Sequence, residues 1–187
     1  MKRLNYSSEI MEKFAIRIIS NSFDYSYADY IWHDKYDDFD FTSPDDMTAL
    51  EIATIISRNT QNAIQYEKAL DNGKKPDVSK VRNAHIDKNG ELLIYYGGSM
   101  CETINDIIAI INKKEAKRVK RTKKYNRYEL CLCIDEGGIF NASDDFEFII
   151  KNGYLSSTGF SRLFLITSSN FYVIENNTIK EYERILK

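Results

Sequence analysis

A single α/β domain with a mixed central β-sheet flanked by helices is what these 187 residues predict. Three observations carry that expectation. Segments of helical apolar periodicity alternate with short apolar or alternating segments, the links between them are short, and no repeat, low-complexity tract or Pro/Gly/Ser-rich linker intervenes. The length allows one domain with a core large enough to dispense with disulfides or a structural metal. Hydrophobic residues at 43% and aromatics at 13% exclude a disordered chain.

Each element follows in order. Ser7 and Ser8 can cap a helix reaching about residue 20, because Ile10, Phe14 and Ile18 recur at i, i+4, i+8 with Met11, Ala15 and Ile19 beside them. YADYIW at 28–33 is aromatic and half-alternating, which predicts a strand. DFDFTSPDDMTALEIAT at 38–54 predicts two strands joined near Asp45-Asp46, followed by a helix over 58–70 that stops at Asn72-Gly73. KKPDVSK at 74–80 is a loop, and Asn89-Gly90 between two alternating runs is a hairpin signal. Ser99 and Glu102 after Gly97-Gly98 form an S-x-x-E box that starts a helix reaching about residue 122. YELCLCID is a buried strand, SDDFEFIIK a short helix, RLFLITS a second buried strand, and NFYVIENNTIKEY a hairpin turning on Asn176-Asn177.

Net charge is only −2, so bulk charge points to no particular partner. Its distribution is more informative: residues 29–46 hold seven aspartates against one lysine, whereas residues 113–124 hold eight basic residues in twelve. The three cysteines are odd in number, and Cys131 and Cys133 alternate on an apolar strand, which predicts buried thiols in a reducing compartment. The first residues contain no apolar signal region and no run approaches a membrane span, so a cytoplasmic, non-membrane protein is expected. His33 and His85 are the two histidines, and their spacing suggests no shared zinc site. His33 beside Asp34 is placed to approach the acidic region.

With Asp45-Asp46 as a two-residue turn, the opposed pairs are 44 with 47, 42 with 49, 41 with 50, 40 with 51 and 39 with 52. Asp40 then faces Glu51, while Phe41, Leu50, Phe39 and Ile52 share the apolar face. Directly opposed Cβ atoms lie about 4.5–5.5 Å apart, so two carboxylates repel unless a cation sits between them. A divalent cation would resolve the repulsion, and Mg²⁺ accepts a few carboxylate oxygens plus water. An Asp-rich turn that merely solvates its acids is the competing reading.

In this order of motifs the sequence resembles the PD-(D/E)xK nuclease superfamily, with its restriction-endonuclease-like fold. FAIRIIS preceded by Glu12, then Asp40-Phe41, then LEIAT at 50–54 stand where the family has an acidic helix, a strand aspartate and E-x-K. INDIIAIINKKEAKRVKRTKKYNRYELCLCIDE resembles the Lys-rich helix leading to a core strand in many members. The resemblance covers the chain apart from roughly 71–98, an inserted hairpin. It implies Asp40 and Glu51 as ligands of Mg²⁺ or Mn²⁺, with Glu12, or alternatively Glu9, as the supporting acid. The family lysine is absent, since position 53 is Ala53. In some members that group moves to the next helix, where Gln61, Gln65 or Lys68 could reach back, and Lys68 is the cation among them.

Lys113, Lys117, Lys120 and Lys124 recur at i, i+4, i+7, i+11, with Lys114, Arg118 and Arg121 on the flank. Such a row suits phosphate contacts, as well as the helix dipole or plain solvation. Two functions are therefore expected in competition. One is a metal-dependent nuclease acting on nucleic acid, DNA favoured over RNA. The other is an inactive relative that binds protein or nucleic acid, for example a regulator or anti-defence factor of a phage or mobile element.

Overall fold

The computed structural model describes residues 8–34, 39–55, 72–73, 84–86, 88–89, 92–94, 100–134, 142–153, 155–167 and 170–186. Among these lie three α-helices: α1 (Ser8–Ser22), α2 (Met100–Lys120) and α3 (Ala142–Lys151). Seven strands make one mixed sheet: β1 (Ile31–Trp32), β2 (Phe41–Thr42), β3 (Thr48–Ile55), β6 (Arg127–Ile134), β7 (Arg162–Ile166), β8 (Phe171–Glu175) and β9 (Thr178–Tyr182), in the order β1-β2-β3-β6-β7-β8-β9. A separate two-stranded sheet pairs β4 (Ala84–Ile86) with β5 (Leu92–Ile94).

The chain enters the sheet as an antiparallel meander, β1 to β2 to β3. It then crosses over to run β6 parallel to β3, and β7 parallel to β6, before closing with the antiparallel run β7-β8-β9. Parallel pairs need helical crossovers and so are covered on both faces. The strand alternation divides the core accordingly. Leu130 and Leu132 of β6 pack with Ala49, Ala53, Ile107, Ile111 and Ile149 on the side of α2 and α3. Cys131 and Cys133 point the other way, among Ala15, Ile18 and Ile19 of α1. Both thiols are buried and unbridged.

Several expectations change in detail. The strand expected at 28–33 shrinks to Ile31–Trp32, because Asp24 accepts a hydrogen bond from Ser26 N–H at 2.9 Å and starts a 3₁₀ turn over Tyr25–Asp29. An Asp offering its own backbone a bond in this way competes with the ladder. The hairpin between β2 and β3 keeps its expected register, Phe41 opposite Leu50 and Thr42 opposite Ala49. Its turn is longer than two residues: Asp46 N–H bonds Ser43 O at 2.9 Å, Ser43 N–H bonds Thr48 O at 2.9 Å, and Asp46 takes a φ of 58°. Pro44 supplies the preset φ of such a turn, and the four-residue loop conserves parity, so the faces do not flip.

The apolar face is also rearranged. Phe39 leaves Phe41, Leu50 and Ile52 and joins the opposite core, against Tyr125 and Tyr128. β2 begins only at Phe41, so pairs 40 with 51 and 39 with 52 are absent from the ladder. The basic helix stops at Lys120 rather than near residue 122. The 176–177 turn stands as expected, with Asn176 and Asn177 at φ 53° and 57°, the left-handed pair of a tight hairpin. The helix expected over 58–70 and the loop at 74–80 lie outside the described residues. None of the helices described is long and apolar enough to cross a membrane.

Candidate functional site

A cavity of about 410 Å³ opens beside β3, between α1 and α2. Carboxylates of Glu12, Asp34, Asp40 and Glu51 line it, as do the cations Lys113, Lys114, Lys117 and Arg121. The expected acids and part of the expected basic row therefore belong to one site.

Strand alternation places Glu51. Leu50 and Ile52 face α1, so Glu51 faces α2 with Ala49 and Ala53. It is only 2% exposed. Burying one carboxylate without compensation is costly, and here α2 provides cations. Lys114 Nζ donates to Glu51 Oε1 at 2.5 Å, Arg121 Nη1 donates to Oε2 at 2.6 Å, and Lys117 Nζ stands 4.0 Å from Oε1. Lys114 also donates to Ile52 O at 3.1 Å. Arg121 lies just past the helix end, its guanidinium 3.9 Å from the Phe39 ring centre, so the ring that changed face supports the cation that holds Glu51.

Asp40 occupies the bend before β2. Its carboxylate does not face Glu51 across a regular pair. Instead Oδ2 accepts the Ile52 N–H at 2.5 Å, taking the place of the ladder partner that β2 no longer supplies. Its carbonyl accepts His33 N–H at 3.0 Å. Burial strips water from the Asp40 carboxyl and Glu51 adds negative charge, so its pKa rises to about 7; the Ile52 N–H and Lys114 oppose the rise, and Glu12 adds to it. Glu12 is held by Trp32, whose Nε1–H donates to Oε2 at 2.8 Å. His33 lines the cavity too, its Nε2 2.8 Å from Thr42 Oγ1.

Asp40, Glu51 and Glu12 thus converge on one cavity, as do Lys113 and Lys117. Lys120 is exposed on the same helix but lines no part of the cavity described. Lys124 falls beyond the helix, its Nζ bonded to Val119 O at 3.3 Å, so it departs from the expected row. Arg118 turns away to bond Glu115 through two nitrogens at 2.7 and 2.8 Å and to stack over Tyr128. Gly159 makes room for that: a Cβ there would lie 2.3 Å from Arg118 Cζ. Lys68, expected to replace the lysine absent at position 53, lies outside the described residues. Lys114 and Arg121, not singled out as site residues in the sequence, are the cations bonded to Glu51. The signal available was spacing: Lys114 and Arg121 stand seven and fourteen residues beyond Ile107, which α2 turns into the core.

Among the described residues, no three His, Cys, Asp or Glu side chains cluster tightly enough to hold a metal ion. Mg²⁺-class ions are commonly held by one or two carboxylates completed by water and substrate phosphate, so Asp40 and Glu51 have suitable hard oxygen donors. The proton affinity of Asp40 is also that of a carboxylate lacking full positive compensation. In comparisons with known proteins, the chain matches no family model, no curated protein and no solved structure.

Proposed function

We propose that this protein is a divalent-metal-dependent nuclease of the restriction-endonuclease-like class, acting on phosphodiesters of nucleic acid, DNA before RNA. The observation that carries the reading is the position of Lys114: its ammonium enters from α2 to contact Glu51 and the Ile52 carbonyl, beside Ala53, where the family's strand lysine is missing. The order of elements also suits it: an acidic helix, an antiparallel meander carrying Asp40 and Glu51, then α2 leading into a parallel strand.

In this reading Asp40 and Glu51 would hold Mg²⁺ or Mn²⁺, and the ion would supply a Lewis acid for the phosphodiester and a lowered water pKa that makes hydroxide available as the nucleophile. Lys114 stabilises negative charge growing on the phosphorus oxygens. Glu12, fixed by Trp32, holds cavity water against the Asp40 side, while Lys113 and Lys117 at the mouth bind neighbouring phosphates.

The test is cleavage of single- and double-stranded DNA and RNA in Mg²⁺ or Mn²⁺ by the wild type, Asp40→Ala, Glu51→Ala and Lys114→Ala. Wild-type cleavage should exceed that of each variant by at least about a hundredfold, the scale of losing one charge-stabilising group. Equal activity in all four would sink the enzyme reading.

One observation favours a second reading, a binding protein that keeps the fold without catalysis. Both oxygens of Glu51 are already bonded to cations. A protein of that kind would take up nucleic acid or a protein partner, such as a component of a bacterial defence system, while ignoring Mn²⁺. Calorimetric titration with Mn²⁺ separates the two readings directly.

A further inference from the structure

The cavity between α1 and α2 is sorted by charge. Four carboxylates and four cations line it, and they stand on different elements. Lys113, Lys114, Lys117 and Arg121 come from α2 and the residue just past its end, whereas Glu12 comes from α1, Asp34 follows β1 and Asp40 precedes β2. Glu51 is already engaged, with its two oxygens bonded to Lys114 and Arg121. The remaining groups form two poles. On the basic side Lys113 and Lys117 are exposed, Lys117 stands 4.0 Å from Glu51, beyond hydrogen-bonding reach, and Arg121 spends one nitrogen of its five-donor fork on Glu51. On the acidic side the Trp32 Nε1–H occupies Oε2 of Glu12 and the Ile52 N–H occupies Oδ2 of Asp40. Neither bond brings a positive charge to its carboxylate.

Two poles in one cavity select against single-ended ligands. A simple anion gains the lysines but meets the acids, and a simple cation meets the reverse. A molecule with a phosphate at one end and N–H donors at the other satisfies both, through charge-assisted bonds about twice as strong as neutral ones. The space also suits a small molecule, since about 410 Å³ falls within the range of small-ligand sites, roughly 300–1,000 Å³. We propose that this cavity is a metal-independent binding site for a small dipolar phosphomonoester, its phosphate on Lys113, Lys117 and Arg121 and its N–H donors on Glu12, Asp34 and Asp40. Neither pole uses a divalent ion, so the site stands whether or not the protein cleaves nucleic acid.

Calorimetry on the full chain in EDTA at neutral pH tests this with four probes. O-phosphoethanolamine carries both ends, inorganic phosphate carries the anionic end alone, and cytidine and uridine 5′-monophosphates differ in one exocyclic amine. The double-ended probe of either pair should bind more tightly than its partner by roughly 10- to 150-fold, the worth of one hydrogen bond to a charged group. Which pair shows the preference tells an alkylammonium from an amino-substituted base, and either one supports the site. Lys117→Gln should weaken every probe by about tenfold and leave the ratios unchanged. Glu12→Gln combined with Asp34→Asn should bring the ratios to within about threefold, while inorganic phosphate binds at least as tightly as to the wild type. The wild-type ranking stands by itself should the double variant fail to fold. Equal affinities within both pairs, or no binding of any probe, would overturn the dipolar site and leave the nuclease reading untouched, because EDTA withholds the metal that reading requires.

Discussion

Asp40 and Glu51 are two carboxylates in one cavity with opposite solutions to burial. Glu51 is compensated by Lys114 and Arg121, whereas Asp40 relies mainly on one backbone N–H and is pushed up to about 7. The sign of its effect on stability follows. The folded value lies above the ordinary 3.8, so the folded state holds a proton that the unfolded chain has released between those limits. Its favourable contribution is full below about pH 4 and is lost as pH rises through about 7. In metal-free buffer, urea unfolding should therefore show the wild type losing up to about 4 kcal/mol between about pH 4 and pH 8 from this group. Asp40→Asn should flatten that segment of the profile, and an unchanged slope in the variant would remove Asp40 as its source. Glu51 and Glu12 were legible because each sits on a regular strand or helix pattern, whereas Asp40 reaches the cavity from the bend before β2 and not through the strand pairing expected for it. Lys114 was not legible, because it meets Glu51 across 63 residues of chain, a distance no spacing rule spans.

The strands and the 3₁₀ turn are tied together by a second charged network on the opposite face of the sheet. Glu129 of β6, 1% exposed, accepts from Tyr27 Oη at 2.7 Å and pairs with Arg162 of β7 at 3.2 Å and Arg127 at 3.0 Å. Arg162 continues to Glu175 of β8 through Nη2 at 2.7 and 2.8 Å, and its guanidinium lies 4.8 Å from the Phe23 ring centre. This network docks the turn that replaced the expected strand, which explains why alternation alone misled: a buried tyrosine hydroxyl reaching across 102 residues decides the segment's conformation. Removing Glu129 leaves the partly buried Arg162 with fewer acceptors. Glu129→Leu should therefore destabilise the fold by about 3 kcal/mol, and Tyr27→Phe, which loses one bond to a charged acceptor, by about 1.5 kcal/mol. Chemical denaturation at neutral pH measures both. A cost for Glu129→Leu below that of Tyr27→Phe would show that the network is dispensable and that hydrophobic packing alone seats the turn.

The molecule as a whole carries little net charge, so any nucleic-acid affinity must come from where the cations stand. Residues 113–124 read in the sequence as one continuous row, but the end of α2 at Lys120 breaks it. Lys113 and Lys117 line the cavity mouth, Lys120 extends their side of the helix, and Lys124 folds back on the Val119 carbonyl. A backbone lying across the mouth would meet the first three and miss the last. Each lysine that neutralises a phosphate contributes roughly one unit to the slope of log affinity against log salt. The Lys113→Gln, Lys117→Gln, Lys120→Gln triple variant should accordingly reduce that slope by about 2 to 3 units in fluorescence anisotropy with a short DNA duplex. Lys124→Gln should leave the slope within about half a unit of the wild type. Equal losses from Lys124→Gln and from single substitutions in the first three would place the nucleic acid around the helix end. The phosphates would then pass by Glu51 instead of entering the cavity that Glu51 shares with Asp40.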